Sequence, residues 1–233
     1  MMIQIRRSMT AVAVGVAASG CMVPTESSSG LHAFVGLVPA MSQEAGEVYR
    51  QIDDFGLRLN NVRVALTADD GSFLYDSTIA ITPGQDSIVL ELIVPMTQAR
   101  RTVSAHVELR DSALVVFSGA EMVELRRGGA SSATPMVVLD YTGPGALARG
   151  IDLNPRDTTI APKSTVGFAA AARDAYGDAL RNVPVSWTVS DPTAGSITAE
   201  GVFTPKGRGE TWVIARLPTG LRDSAKVAVS MLK

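Results

Sequence analysis

Val183-Pro184-Val185-Ser186-Trp187-Thr188-Val189 alternates apolar residues with small or polar ones, the period of a strand with one buried face. Trp187 shares a face with Val185 and Val189, so the indole is expected to plug a core. Ser190-Asp191-Pro192 ends the run, because Asp bonds its own backbone and Pro has no N–H to give a ladder. The same grammar repeats in both directions. Upstream lie Ile151 to Pro155 and Thr165 to Arg173, with a turn at Asp174-Ala175-Tyr176-Gly177-Asp178. Downstream lie Ile197, Val202-Phe203, Thr211 to Arg216 and Asp223 to Met231. Trp212 alternates with Ile214 and is expected to face the same core.

The preceding hundred or so residues carry the same rhythm. Val62 to Leu66 alternates, and Asp69-Asp70-Gly71 offers a turn with Gly free to take positive φ. Phe73 to Tyr75, Thr78 to Ile81, Ser87 to Val94 before Pro95, Val103 to Leu109, Leu114 to Phe117, Met122 to Leu125 and Met136 to Leu139 follow as strands. Ser42 to Asp54 breaks the pattern and reads as a short helical turn or a loop. Strands recurring about every ten residues between turn signals predict antiparallel sandwiches. The expected fold class is therefore all-β, with two antiparallel β-sandwich (immunoglobulin-like) domains after an N-terminal signal peptide. The expected boundaries are residues 1–20 for the signal, 21–30 for a tether, 31–142 for the first sandwich, 143–150 for a linker and 151–233 for the second. Gly143-Pro144-Gly145 inside the linker favours a turn or hinge. The 22–30 stretch is small and polar with nothing to bury.

The amino end has the three-part layout of a secretory signal. Arg6 and Arg7 precede the apolar run Met9 to Ala18, which is about half the length a membrane-spanning helix needs. Ala18-Ser19-Gly20-Cys21 follows. This run resembles the lipobox of bacterial lipoproteins, although that family more often has Leu at the position of Ala18. The resemblance implies cleavage before Cys21 and a diacylglycerol thioether on its sulfur. Met22 after Cys21 implies, by resemblance to the sorting rule of enteric bacteria, the outer membrane if the host is Gram-negative. Cys21 is the only cysteine of 233 residues, so no internal disulfide is available and the domains must hold by packing.

Residues 151–230 resemble the bacterial immunoglobulin-like domains of group 2, the kind found in intimin- and invasin-like surface proteins. The matching pieces are Asp174 to Gly177, Val183 to Trp187, Ser190 to Pro192, Gly201-Val202-Phe203-Thr204-Pro205, Gly209 to Ala215 and Ser224 to Val229. Trp212 departs from that family, which commonly has a small polar or β-branched residue there. The resemblance implies adhesion, spacing or assembly. Residues 31–142 resemble no family specifically.

Chemistry-bearing residues are sparse. The two histidines, His32 and His106, lie far apart, and His106 alternates to the solvent side of its strand. No Gly-X-Ser-X-Gly elbow is present, and two histidines with a lipidated cysteine do not make a zinc site. The pairs Asp53-Asp54 and Asp69-Asp70, with Asp174, Asp178 and Asp191, read as turn residues, without the ladder of oxygens that calcium needs. Tyr141 and Tyr176 sit in or near turns. Gly207 and Gly209 lie between short strands, with no helix after them to make a phosphate loop. Arg100-Arg101 and Arg126-Arg127 are the only tight basic pairs and read as solvated strand ends. The formal net charge is −2 and becomes more negative once Arg6 and Arg7 leave with the signal, which argues against nucleic acid. No catalytic residue, cofactor or metal is expected. The only assigned site is lipid attachment at Cys21. The expected function is a non-catalytic, lipid-anchored cell-envelope protein that presents immunoglobulin-like domains to a protein or glycan partner. A structural spacer or an envelope-glycan-binding module is the alternative, and a hydrolase follows behind.

Overall fold

A computed structural model describes residues 32–84, 88–128 and 134–230. The signal, Cys21 and the 22–30 tether lie outside the described residues. The chain forms two compact units. The first holds the chain up to Ala45 with Leu59–Asp140, and the second holds Gly46–Arg58 with Tyr141–Lys233.

The first unit runs β1 (His32–Met41), the start of α1 (Gln43–Arg50), then β2 (Asn61–Ala68), β3 (Phe73–Ala80), β4 (Leu90–Pro95), β5 (Arg100–Asp111), β6 (Leu114–Arg126) and β7 (Met136–Tyr141). Its strands join in the order β3-β2-β5-β6-β7-β1-β4. β3 and β4, at opposite ends of that order, return close to each other, so the sheet curls around one core. Val62, Val64, Val103, Val107, Val137, Leu37 and Leu139 are fully buried there.

β1 is the strand that alternation passes over, because Gly36 and Pro39 interrupt it. It changes partner midway. His32 to Leu37 run antiparallel to β4, and Val38 to Met41 run parallel to β7. The Val38 and Ser42 N–H groups donate to Pro135 and Leu139 on the β7 side, both at 3.0 Å. By strand alternation the Pro39 nitrogen then points away from β7, beyond the end of β4, where no ladder bond is needed. Two pairs of segments that read as separate strands are continuous. Leu114 to Phe117 and Met122 to Leu125 merge into β6, and Phe73 to Tyr75 joins Thr78 to Ala80 in β3. Ser118 to Glu121 carries turn-like residues but stays in register with Ala105 to Glu108 of β5.

The second unit takes in the rest of α1, a single 3₁₀ turn (Ile52–Phe55) and nine strands: β8 (Gly150–Asn154), β9 (Asp157–Ile160), β10 (Val166–Gly167), β11 (Ala169–Arg173), β12 (Ser186–Val189), β13 (Gly195–Ile197), β14 (Val202–Pro205), β15 (Gly209–Arg216) and β16 (Arg222–Val229). They form sheets β12-β15-β16-β9, β10-β14-β13 and β11-β8. Pairing is antiparallel except that β9 runs parallel to β16. Phe203, Leu153, Phe168, Val213, Ala215, Ala225 and Val227 meet in a core shared between these sheets, with Val185, Trp187 and Val189 packed against it. This is the sandwich that the alternation predicts. The run Thr165 to Arg173 is divided at buried Phe168: β10 pairs with β14, and β11 pairs with β8. The Phe168 N–H donates to the Gly201 carbonyl at 2.8 Å.

Gly201 has φ +80°, and a Cβ on it would lie 2.6 Å from the Phe168 oxygen and 3.0 Å from the Trp187 ring. The turn therefore excludes any side chain on both conformational and steric grounds. Residues 143–150 form a turn folded onto this unit. Ala148 is buried with Ala172 and Leu217, and the Tyr141 hydroxyl donates to the Pro144 carbonyl at 2.8 Å.

Candidate functional site

The acidic residues singled out by sequence do local work. Asp70 accepts the Ser72 N–H at 2.9 Å and the Ser72 hydroxyl. Asp174 accepts the N–H groups of Tyr176 and Asp178 at 2.9 and 3.0 Å. Asp191 accepts the Thr193 N–H at 2.9 Å and its hydroxyl at 2.6 Å. Asp53 and Asp54 are exposed in the 3₁₀ turn of the second unit, whereas Asp69 and Asp70 belong to the first.

The hydrogen bonds from Ser72 and Thr193 hold the Asp70 and Asp191 carboxyls below the usual carboxylate range. Arg63 does the same to Asp76, Arg173 to Asp152, and the Thr198 hydroxyl to Glu200. All five shifts favour the ionised form. A general acid needs the opposite, a carboxyl that keeps its proton near neutrality.

His32 and His106 are both exposed, the latter across from Ala65 and Ala120 on the outer face of β5. Among the described residues no three His, Cys, Asp or Glu side chains gather as metal ligands would. Burial pushes the Tyr141 hydroxyl well above its ordinary value; this tyrosine is half-buried, whereas Tyr176 is 92% exposed at its turn.

Trp187 lies against the core as expected. Trp212 does not. It is 48% exposed, while its neighbours Thr211 and Val213 are buried. The outward turn of Trp212 has a clear cause. The Thr211 hydroxyl accepts the Asp191 N–H at 3.1 Å and meets the Ser190 hydroxyl at 3.2 Å, so a polar residue is satisfied inside. Trp212 instead sits opposite Lys226 on the outer face. There Ile214 follows it along β15, and Glu210 pairs with Lys226 at 2.9 Å.

A second apolar surface lies on the first unit. Phe34 and Ile93 are register partners on β1 and β4, 52% and 54% exposed. Met136 and Val138 stand out from β7 in the same way. Sequence reasoning missed Phe34 because both faces of His32 to Leu37 carry apolar residues. Ile93 had a usable signal, since it shares a face with Glu91. The arginine pairs are strand ends. Arg100 opposes Arg126 across β5 and β6, and both approach Glu124, at 3.8 and 3.1 Å. Arg101 lies 3.7 Å from Asp70.

No family model matches this chain, and no curated protein does. Solved structures match at low identity. Domains 4 and 5 of the S-layer protein SbsC align over 72% of this chain and 98% of theirs, with 12% identity and a TM-score of 0.33. A C-terminal fragment of intimin, solved in complex with the intimin-binding domain of the translocated intimin receptor, aligns over 74% of this chain and 52% of its own, with 13% identity and a TM-score of 0.28. A fimbrial assembly protein from Parabacteroides distasonis aligns over 85% of this chain and 86% of its own, with 12% identity and a TM-score of 0.36. These overlaps are too loose to transfer any residue's role, and the all-β fold rests on the strands themselves.

Proposed function

We propose that this chain is an exported, non-catalytic cell-envelope lipoprotein, anchored by lipid on Cys21, whose β-sheet faces bind a protein partner in adhesion or surface assembly. The observation that carries the reading is the exposed indole of Trp212 beside Ile214 on an outer sheet face. Ile214 beside it is half-buried, so the reading rests on the indole itself: Trp is among the residues that dominate interface energetics. The carboxylates support the same reading, since they serve turns and ion pairs.

Trp212→Ser should cost about 1–2 kcal/mol, since the ring is only half exposed and sits inside a strand, and should leave the protein folded. It should weaken attachment of the purified protein to its target cells or envelope by tenfold or more, the scale of an interface anchor. Unchanged attachment would remove Trp212 from the binding face. A glycan partner is the second reading, favoured by an indole flanked by the Glu210–Lys226 pair. It requires co-sedimentation with purified peptidoglycan or lipopolysaccharide that Trp212→Ser abolishes. The anchor is tested separately: radiolabelled palmitate should enter wild type and not Cys21→Ala. Failure of wild type to take up label would refute the lipoprotein reading.

A further inference from the structure

One end of the first unit gathers four of its arginines. Arg100 and Arg101 open β5, Arg126 closes β6 and Arg127 follows it. The Arg127 N–H donates to Ala99 at 3.0 Å, and the Gly128 N–H donates to the His32 carbonyl at 2.9 Å. His32 is the first residue of β1, so the start of β5 and the end of β6 lie at the same end of the unit as the start of β1. The β2–β3 turn lies at the same end, because Asp70 reaches Arg101. Phe73, just past that turn, is 64% exposed.

The carboxylates at this end are Glu124, Asp70 and Asp69. Glu124 is shared between Arg100 and Arg126, and Asp70 is 3.7 Å from Arg101. Arg127 is exposed, without a carboxylate partner among the described residues. Four arginines against three carboxylates leave this end one positive charge, centred on Arg127, on a chain whose formal net charge is negative. It also has an exposed apolar ring, of the kind that can bury at the headgroup–acyl boundary.

We propose that this end is a membrane-docking base, in which the Arg100, Arg101, Arg126 and Arg127 guanidiniums contact the phosphates of anionic lipid headgroups while Phe73 meets the interface. The occupant follows from place and charge together. If Cys21 is lipidated, the eleven steps of chain from Cys21 to His32 keep His32 within about 40 Å of the bilayer even when fully extended, so this end can reach the surface. Basic side chains held near an anionic surface are attracted within a Debye length of about 8 Å. This inference rests on the lipoprotein reading for that tethering and adds an orientation to it: the first unit sits with its arginine end on the membrane.

The test uses the whole mature chain, residues 21–233, unlipidated and carrying Cys21→Ser. Partitioning is measured onto vesicles of phosphatidylethanolamine with and without phosphatidylglycerol, up to millimolar lipid. Binding should require phosphatidylglycerol and fall with salt. It should drop at least about tenfold in R100Q/R126Q/R127Q, given that each lost charge near such a surface counts several-fold. R181Q/R208Q/R222Q, with the same charge change on exposed arginines of the second unit, should change it less than about twofold. Arg127→Glu alone, which breaks no ion pair among the described residues, guards against misfolding of the triple variant and should also weaken binding. Equal partitioning onto both vesicle types, or equal losses in the two triple variants, overturns the proposal. So does displacement by inorganic phosphate beyond that by chloride at equal ionic strength, which would indicate a discrete anion site. The palmitate experiment fails or succeeds independently. Anionic-vesicle binding without lipid on Cys21 would keep the arginine surface and remove the tether.

Discussion

Gly119→Ala should destabilise the first unit by about 3 kcal/mol, at the upper end of overpacking costs. A Cβ at position 119 would lie 1.9 Å from the Val138 carbonyl oxygen and 2.9 Å from its carbon. Both are backbone atoms of β7, so no rotamer change relieves the overlap. β6 and β7 must part, and the strand order passes through that junction. The sign alone is informative. Gly inside a strand normally costs roughly 0.5–1 kcal/mol relative to Ala, so an uncrowded position would gain stability from this change. Urea unfolding followed by far-UV circular dichroism should show a midpoint lower by roughly 1–2 M. A midpoint equal to or above wild type would mean that β7 does not approach β6 this closely.

Phe203→Ala should cost about 3–5 kcal/mol, the range for removing a buried aromatic ring. Phe203 is fully buried at the middle of the second unit's core. It pairs with Val166 on one side and Ile197 on the other, so the ring fastens the three-stranded sheet to the four-stranded one. A Cβ on Gly195 would lie 2.2 Å from the ring, which shows how tightly the ring is seated. Both tryptophans belong to the second unit, so unfolding can be followed by fluorescence. Trp187, packed against the core, should report the change, while Trp212 is already half in water. Against a typical total of 5–15 kcal/mol, such a loss leaves this unit marginal or unfolded. A cost below about 1.5 kcal/mol would show that neighbouring side chains collapse into the space.

The asymmetry between Trp187 and Trp212 shows how far local pattern reaches. Each sits in an alternating run, and each alternates with aliphatic residues. Val185, Trp187 and Val189 form the only strongly apolar face of their strand, so direction follows from composition. Around Trp212 both faces are plausible, because Thr211 carries a polar group and Trp212 a large apolar one. Hydrogen bonds from the Ser190-Asp191 turn satisfy Thr211 inside, and that turn is some twenty residues away. The outward direction of Trp212 escapes local pattern for a physical reason: which face of a strand is buried depends on its partners.

Strand periodicity, turn chemistry and the leader layout are local properties, and the sequence by itself determined the all-β class, most strand positions, the turn roles of Asp70, Asp174 and Asp191, and the expectation of lipid at Cys21. Tertiary structure alone decided the rest. It switched β1 from β4 to β7 around Pro39, divided the 165–173 run between two sheets at Phe168, turned Trp212 outward, and brought four arginines from two strand ends to the end of the first unit at which β1 begins. These outcomes depend on register between distant segments. A one-residue slip in register exchanges the two faces of a strand, so alternation identifies the two faces and only pairing assigns one of them to the core.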